Sequence, residues 1–561
     1  MRGIPGTLPY LLVAAALALG WNLNGYTLLD PDEGRNAEVA REMAASNDYV
    51  LPRLDGLPYL DKPIVYFAAA AAAMEVLGPT ETAARLPAYL FTLATIALVV
   101  RFARRRWGAD AGWLAGLAFA TMPLVLAYAR TAIFDSTLTF CTTAAILWFV
   151  EDRPVPAWAA MGLGALTKGP LALALPLLVM VPYALAVRAP VRRLFAPRGL
   201  AVFAAIALPW FVAVTARIPE FPHYVFVRET FERVTTPSFR RTGPLYFYIP
   251  ILVVGTFPWL VPALAHLGVA KQWGAPRRPP SRDAVLLACW VAVPFLFFTL
   301  NQSKLPQYVL PLTPAVALAA ARTLSRDGIR VGWRVYAGTA SALGIAVALL
   351  PRVVSLPLPL TPAEQAAIPP TALVLGIVLV GSALLVALAA RRDSLPLGAA
   401  GYAVVVAAIP FASGSLLRAV GDDRSAAGLA AAISTAFAGE GGSREGEGLG
   451  GAVLGVSAYP PSLPFYLGRT IDVATPTARE LTSNYIADYQ ERYRALPASP
   501  LKPAAYWREV LARCPVPTVF VTRTGDSEAR EVLAAALPLV TVQGRYAAYG
   551  PCTRGLLTGG R

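Results

Sequence analysis

Residues 8 to 29, "LPYLLVAAALALGWNLNGYTLL", are apolar over the length of a membrane-crossing helix, and the chain then turns abruptly to "DPDEGR". A helix needs about 20 apolar residues to cross a bilayer, and runs of that kind recur. They are expected as spans near 8–29, 84–101, 111–128, 132–150, 155–167, 170–187, 199–216, 245–269, 284–300, 306–321, 334–350, 370–390 and 398–418. No small-residue cleavage site follows the first run, so it reads as a retained span rather than a signal peptide. The stretch "IVYFAAAAAAMEVLG" (64–78) is shorter. Counted as a crossing, it would put the next basic loop on the wrong face, so it is expected as a helix lying at the outer interface. Two polar external loops follow, 30–83 and 217–244. Beyond residue 420 the pattern changes: the Gly/Glu segment "GEGGSREGEGLGG" (439–451) precedes strand-like runs ("AVLGVSAY", "PTVFVTR", "LVTVQGRYAAYG") and one helix-like run ("SEAREVLAAAL"). The predicted class is an α-helical polytopic membrane protein of about 13 crossings (1–420) with a C-terminal extracytoplasmic α/β domain (421–561). No internal repeat is visible.

Composition agrees and charge adds direction. The 561 residues are 56% hydrophobic and 15% charged, outside the range of an ordinary soluble domain. The formal net charge of +15 comes largely from arginines in short loops: "RFARRRWG" (101–108), Arg153, 187–199, 271–283, 322–334 and Arg391–Arg392. Loops alternate between basic and base-poor, the positive-inside pattern, so the charge reports topology and not a nucleic-acid partner. Topology then puts the N-terminus in the cytoplasm and the C-terminal domain outside. Cys141 and Cys289 lie in apolar runs and read as packing residues. Cys514 and Cys552 lie in the polar tail and are free to pair if it is extracytoplasmic.

The outer face collects the chemistry. Of 49 basic residues only five are lysine, and three of these, Lys62 in "LDKP", Lys168 in "LTKGP" and Lys304 in "SKLPQY", fall at outer ends of membrane segments beside proline. A lone interfacial lysine snorkels to water; three in like surroundings point to a shared anionic ligand. Asp30, Asp32, Glu33, Asp61 and Asp135 come out on the same face. A carboxylate near the apolar layer is costly unless paired or functional, although Asp135 also suits a helix N-terminus. "DEGRNAEVAREMAAS" reads as a helix from residue 32, with Glu38, Arg41 and Glu42 spaced for surface pairs. Apolar helices with Lys, Arg and Tyr at their outer ends suit a lipid-linked phosphate, an Asp facing a hydroxyl suits a general base, and His223 with Asp61 offers ligands for a divalent cation.

The stretch "DPDEGRNAEVAREMAASNDYVLPRLDGLPYLDKPIVYF" resembles the first external loop of GT-C superfamily glycosyltransferases, in the branch of the bacterial lipid A aminoarabinose transferases and protein O-mannosyltransferases. The likeness continues through "ARLPAYL", "LAYARTAIFDSTLTF", "GLGALTKGPLALALPLL", "FVRETFERVTTPSFRRTGPLYFYIPILVVGTFPW", "SKLPQYVLPLTPA" and "YPPSLPFYLGR". The resemblance implies that Asp32 is the catalytic carboxylate, beside Glu33 and Arg35. Asp135 would be a second acid, and Tyr59, Lys62, Arg35, Tyr308 and Lys304 would bind the donor phosphate. Asp61 and His223 would stand at metal positions, where the family often has Glu in place of Asp61. "KPIV" replaces the family's frequent "KPPL".

The expected activity is inverting transfer of a sugar from a polyprenyl-phosphate donor to a lipid, glycan or protein acceptor at the outer face of a bacterial cytoplasmic membrane. A divalent cation is a candidate cofactor, and no organic cofactor is expected. The rivals are a flippase of lipid-linked substrates, which predicts midplane charges and duplicated broken helices, and a non-catalytic subunit, which predicts loss of the Asp32 and Lys62 constellation.

Overall fold

The computed structural model describes residues 7–232, 243–266, 281–327, 330–353, 360–438 and 450–553. Most of the basic loop at 271–280, part of the second external loop (233–242) and most of the Gly/Glu segment (439–449) lie outside the described residues. The chain forms two compact units. One holds residues 1–23 and 85–416; the other joins 24–84 to 417–561. The first external loop therefore clusters with the C-terminal segment rather than with the 1–420 stretch.

The first unit is all helix, and each of the thirteen apolar runs has a helical counterpart in it. Among the described residues five helices are long and apolar enough to cross a membrane unaided: Glu81–Trp107, Pro197–Arg217, Arg282–Leu300, Pro362–Arg392 and Leu395–Ala412. The others are shorter or broken, and proline explains several breaks. The run at 111–128 is Ala109–Ala120 followed by Pro123–Ala129, bent by 65° where Pro123 removes a backbone donor. The run at 245–269 divides into Tyr248–Gly255 and Leu260–His266 around Pro258. The run at 306–321 opens as a 3₁₀ helix, Pro306–Leu312, before Thr313–Asp327. In "LTKGP", Gly169 at φ +65° ends helix Pro154–Lys168 and Pro170 precedes Leu171–Ala186, so Lys168 sits at a fixed helix end. Buried indoles tie these pieces together: Trp259 Nε1 donates to Thr121 Oγ1 at 2.9 Å and Trp290 Nε1 to the Pro311 carbonyl at 3.0 Å. Each bond satisfies a donor that would be expensive to leave unpaired in an apolar interior.

The second unit is built on a six-stranded mixed sheet. Its strand order is Leu501–Lys502, Asp472–Ala474, Ala452–Val456, Thr518–Arg523, Tyr546–Cys552, Leu539–Gln543. The first four strands are parallel, with Leu454 opposite both Asp472 and Phe520; the last two run antiparallel, with Phe520 opposite Tyr549. Helices Tyr506–Arg513 and Ser527–Ala536 bury Trp507, Leu511 and Leu533 with Leu454 and Phe520. Cys514 and Cys552 are disulfide-bonded, as the pairing reading allowed. All four quoted runs beyond residue 450 took the predicted form, and "LVTVQGRYAAYG" became two strands turning at Gly544.

Within the same unit, residues 24–84 form helix Asp32–Ser46, a hairpin pairing Arg53–Leu54 with Leu57–Pro58, and helix Val65–Leu77. Helix Asp32–Ser46 has the predicted start but not the predicted surroundings. Glu38 and Glu42 are buried, not solvated surface partners, because the helix packs on helix Val65–Leu77, the hairpin and helix Leu463–Leu467. Glu38 receives a two-pronged bond from Arg41, whose other nitrogen reaches the Gly468 carbonyl. The expected surface pair is thus a buried link to the C-terminal segment.

Candidate functional site

In the second unit the site residues lie at the start of helix Asp32–Ser46 and after the hairpin. Asp32 stands in the first helical turn and keeps 42% of its side chain exposed. It is held by Arg35, whose Nη2 lies 2.6 Å from Asp32 Oδ1. Arg35 is buried. Its Nη1 donates to the carbonyl and hydroxyl oxygens of Thr482 at 3.0 and 3.1 Å, and its guanidinium lies 5.9 Å from the centre of the Tyr59 ring. Burial alone would lower its pKa, but Tyr59, Asp32 and Asp61 outweigh it and hold the guanidinium charged. The arrangement is an accessible carboxylate braced by a buried cation that is itself braced by the C-terminal segment.

The neighbouring acids do other things. Glu33 is buried, and its Oε2 accepts the Leu29 N–H at 3.0 Å, which fixes the entry to the helix. Asp30 Oδ2 accepts the Ser462 hydroxyl at 2.9 Å, and burial, against the Ser462 hydrogen bonds, raises its pKa to about 8. Asp32 is therefore more open than Asp30 or Glu33, and Glu33, expected as a catalytic residue beside it, has its Oε2 on the backbone. Tyr59 is buried and meets Phe67 edge-on. Lys62 is half-buried, with its ammonium on the Asp61 carbonyl.

The first unit holds the other candidates. Asp135 begins helix Asp135–Val150 and pairs with Lys168 at 2.5 Å, their side chains only 4% and 11% exposed. The Lys168 ammonium also lies 4.9 Å from the centre of the Tyr308 ring. Lys304 is buried and donates to the Asn301 carbonyl at 2.7 Å. The structure thus brings Asp135, Lys168 and Tyr308 together and leaves Lys304 on its own loop. Tyr248, which the sequence reading passed over, joins this group: its hydroxyl accepts the Leu305 N–H at 3.3 Å, and its ring lies 6.4 Å from Phe298, itself 5.6 Å from Tyr308. Tyr128, also unforeseen, donates to Gln307 at 3.3 Å. The only sequence signal for Tyr248 was its place in "PLYFYIPI", where two neighbouring aromatics mask it.

The cation reading fares differently. Asp61 Oδ2 and Oδ1 accept the Asn484 and Tyr485 N–H groups, each at 3.0 Å, and so cap helix Asn484–Asp488. His223 ends the short helix Phe221–His223 and is exposed. Among the described residues no three His, Cys, Asp or Glu side chains gather to hold a metal ion. No step below is routed through a divalent cation.

A multi-pass helical unit joined to an α/β unit, with carboxylates and lysines at helix ends, defines the GT-C type of membrane glycosyltransferase fold, and the chain has that fold. It is similar in particular to the aminoarabinose transferases. The solved structure of ArnT from Cupriavidus metallidurans bound to undecaprenyl phosphate matches at TM-score 0.82 and 27% identity over 99% of both chains. The undecaprenyl phosphate-alpha-4-amino-4-deoxy-L-arabinose arabinosyl transferase of Pectobacterium carotovorum is 34% identical over 360 residues, which is 61% of this chain and 64% of that protein. The enzyme of the same name from Aeromonas salmonicida is 32% identical over 57% of this chain and 60% of its own length. The matched stretch thus spans about 60% of these relatives. The family model for dolichyl-phosphate-mannose-protein mannosyltransferases matches residues 61–216.

Proposed function

We propose that the chain is an inverting glycosyltransferase that moves a sugar, a pentose by analogy with its relatives, from a polyprenyl-phosphate donor to a lipid, glycan or protein acceptor. The observation that carries this reading is the end-to-end likeness to a transferase solved with undecaprenyl phosphate bound. The Asp32–Arg35 and Asp135–Lys168–Tyr308 groups supply the chemistry it requires. In the reaction an acceptor oxygen attacks the anomeric carbon, a new C–O bond forms, and the sugar–phosphate C–O bond breaks with its electron pair leaving on the phosphate.

Asp32 takes the proton of a hydroxyl acceptor. Where the acceptor is an already ionised lipid phosphate, the same carboxylate stabilises positive charge developing on the sugar. Arg35 already serves Asp32 and Thr482, so it positions Asp32, with Tyr59 packing beside it; Lys62 in the second unit and Lys304 and Tyr308 in the first are each candidates to meet a donor phosphate. Asp135 pairs with Lys168 in an apolar setting, and Glu33 orders the turn that carries Asp32. The site works at the outer face of the cytoplasmic membrane, with the N-terminus inside. The basic-loop pattern supports that sidedness, and so does the Cys514–Cys552 disulfide, a bond favoured in oxidising compartments.

The test is transfer in membranes or proteoliposomes from a panel of polyprenyl-phosphate sugars. Product should form only with such donors, with inverted anomeric configuration. Transfer from nucleotide sugars alone would refute the donor assignment.

A further inference from the structure

In the first unit, the basic end of helix Glu81–Trp107 meets helices Thr7–Gly20 and Ala109–Ala120 and leaves a groove of about 750 Å³. Its walls are Leu12, Leu93, Ile96 and Val100, and its mouth carries Trp113, Arg101, Arg104 and Arg105. That volume is in the range of single-ligand pockets. Two close approaches shape the groove: a Cβ on Gly116 would lie 2.5 Å from Val100 Cγ2, and one on Gly112 2.7 Å from Arg104 Cβ. The helices therefore touch along their glycines and splay beside them.

The three arginines differ. Arg101 is paired with Glu151 at 2.9 Å. Arg104 and Arg105 are exposed and pair with no carboxylate among the described residues; Arg104 lies 5.7 Å from the centre of the Trp113 ring. Arginines that only mark topology need neither an apolar groove beneath them nor an indole at its lip. An amphiphile with a negative head and an apolar tail matches each part. Basic recesses at the ends of membrane helices hold anionic lipid head groups, and tryptophan sits by preference at that depth.

We propose that this groove binds one anionic glycerophospholipid from the membrane leaflet at the basic loops, its phosphate on Arg104 and Arg105 and an acyl chain along Leu93, Ile96 and Val100. The groove shares no lining residue with the donor-handling groups, and the proposal is independent of the proposed transfer reaction.

The experiment is native mass spectrometry of the full-length chain in detergent, titrated with dioleoyl phosphatidylglycerol or dioleoyl phosphatidylcholine. One phosphatidylglycerol should be retained about 30-fold more tightly than phosphatidylcholine, given about a fivefold gain for each of two arginines. Arg104→Gln with Arg105→Gln should abolish the preference, whereas Arg192→Gln with Arg193→Gln, on the basic turn Val191–Phe195, should leave it intact. Equal retention of the two lipids, or an equal loss in both double variants, would overturn the proposal. So would displacement of the lipid by soluble glycerol phosphate at matched concentration. If the first double variant does not fold, a photoreactive phosphatidylglycerol on the wild-type chain decides the matter: crosslinks within residues 93–113 support the site, and crosslinks confined elsewhere refute it.

Discussion

The side chains that matter most are those whose partners leave them one remaining task. Asp32 is braced by Arg35 yet almost half exposed, while Asp30 and Glu33 are enclosed by a hydroxyl and a backbone N–H. Asp32→Asn should lower transfer to a hydroxyl acceptor by about 10²- to 10⁴-fold, with donor affinity, read by displacement of a labelled polyprenyl phosphate, largely unchanged. Arg35→Lys should also lower the rate, since a lysine cannot span Asp32 and Thr482 together. Asp135 and Lys168 lend themselves to a stability cycle. Lys168→Met alone strands a buried carboxylate and should cost about 3–5 kcal/mol, read as an earlier thermal melt in detergent. Asp135→Leu combined with Lys168→Met should recover most of that loss while remaining inactive. A double variant no more stable than the single would mean the pair is not an isolated charge couple. The helix ends that carry Asp135 and Lys168 were legible in the sequence, because apolar run lengths and the Gly169–Pro170 stop mark them. The pairings were not. Nothing in "LTKGP" or "IFDST" says that one lysine meets one aspartate across two helices, and only the fold shows that Asp61 spends both oxygens on backbone N–H groups.

At the scale of elements, helix Asp32–Ser46 is the clearest case of a correct period with a wrong environment. Its charges obey surface spacing, yet Glu38 and Glu42 are enclosed, as is Asp55 in the neighbouring hairpin turn. Burial, against Arg41, raises the Glu38 pKa to about 8 from 4.5, and burial also raises Glu42 and Asp55. Periodicity reports which residues share a face; it does not report that a segment some 400 residues later covers that face. The sign of the pH effect follows. A carboxyl whose folded pKa is raised binds its proton better in the folded state, so its contribution is whole below about 4.5 and is lost as pH rises toward about 8. The melting temperature of the second unit should therefore fall between pH 5 and pH 8, and Glu38→Gln should flatten that slope. A melt that rises over the same interval would contradict the buried placement. The disulfide belongs to this scale as well. Cys514 and Cys552 lie 38 positions apart, so replacing both with serine should cost the second unit about 3–4 kcal/mol through the freer unfolded chain.

For the molecule as a whole, the run of apolar segments predicted the fold type and the thirteen helical stretches, because hydropathy reads the solvent each segment must meet. It was less successful at their regularity. Only five described helices are both long and apolar enough to cross unaided, and prolines at 123 and 258 divide two of the other runs into pieces that hydropathy averages over. A cysteine-labelling scan should find residues 24–84 and 450–553 accessible from outside and residues 101–108 from the cytoplasm; the reverse would overturn the sidedness. The second unit also sets a timetable. Arg35 reaches Thr482, 447 positions later, and Asp30 reaches Ser462 across 432. Contacts of such sequence separation close late, and a chain emerging from the ribosome has no Thr482 until most of its membrane helices exist. The cation that holds the Asp32 carboxylate, near the beginning of the sequence, is thus among the last to acquire its own support, and a chain released between residues 424 and 482 carries the apolar helices up to Leu395–Ala412 with Arg35 not yet held by Thr482.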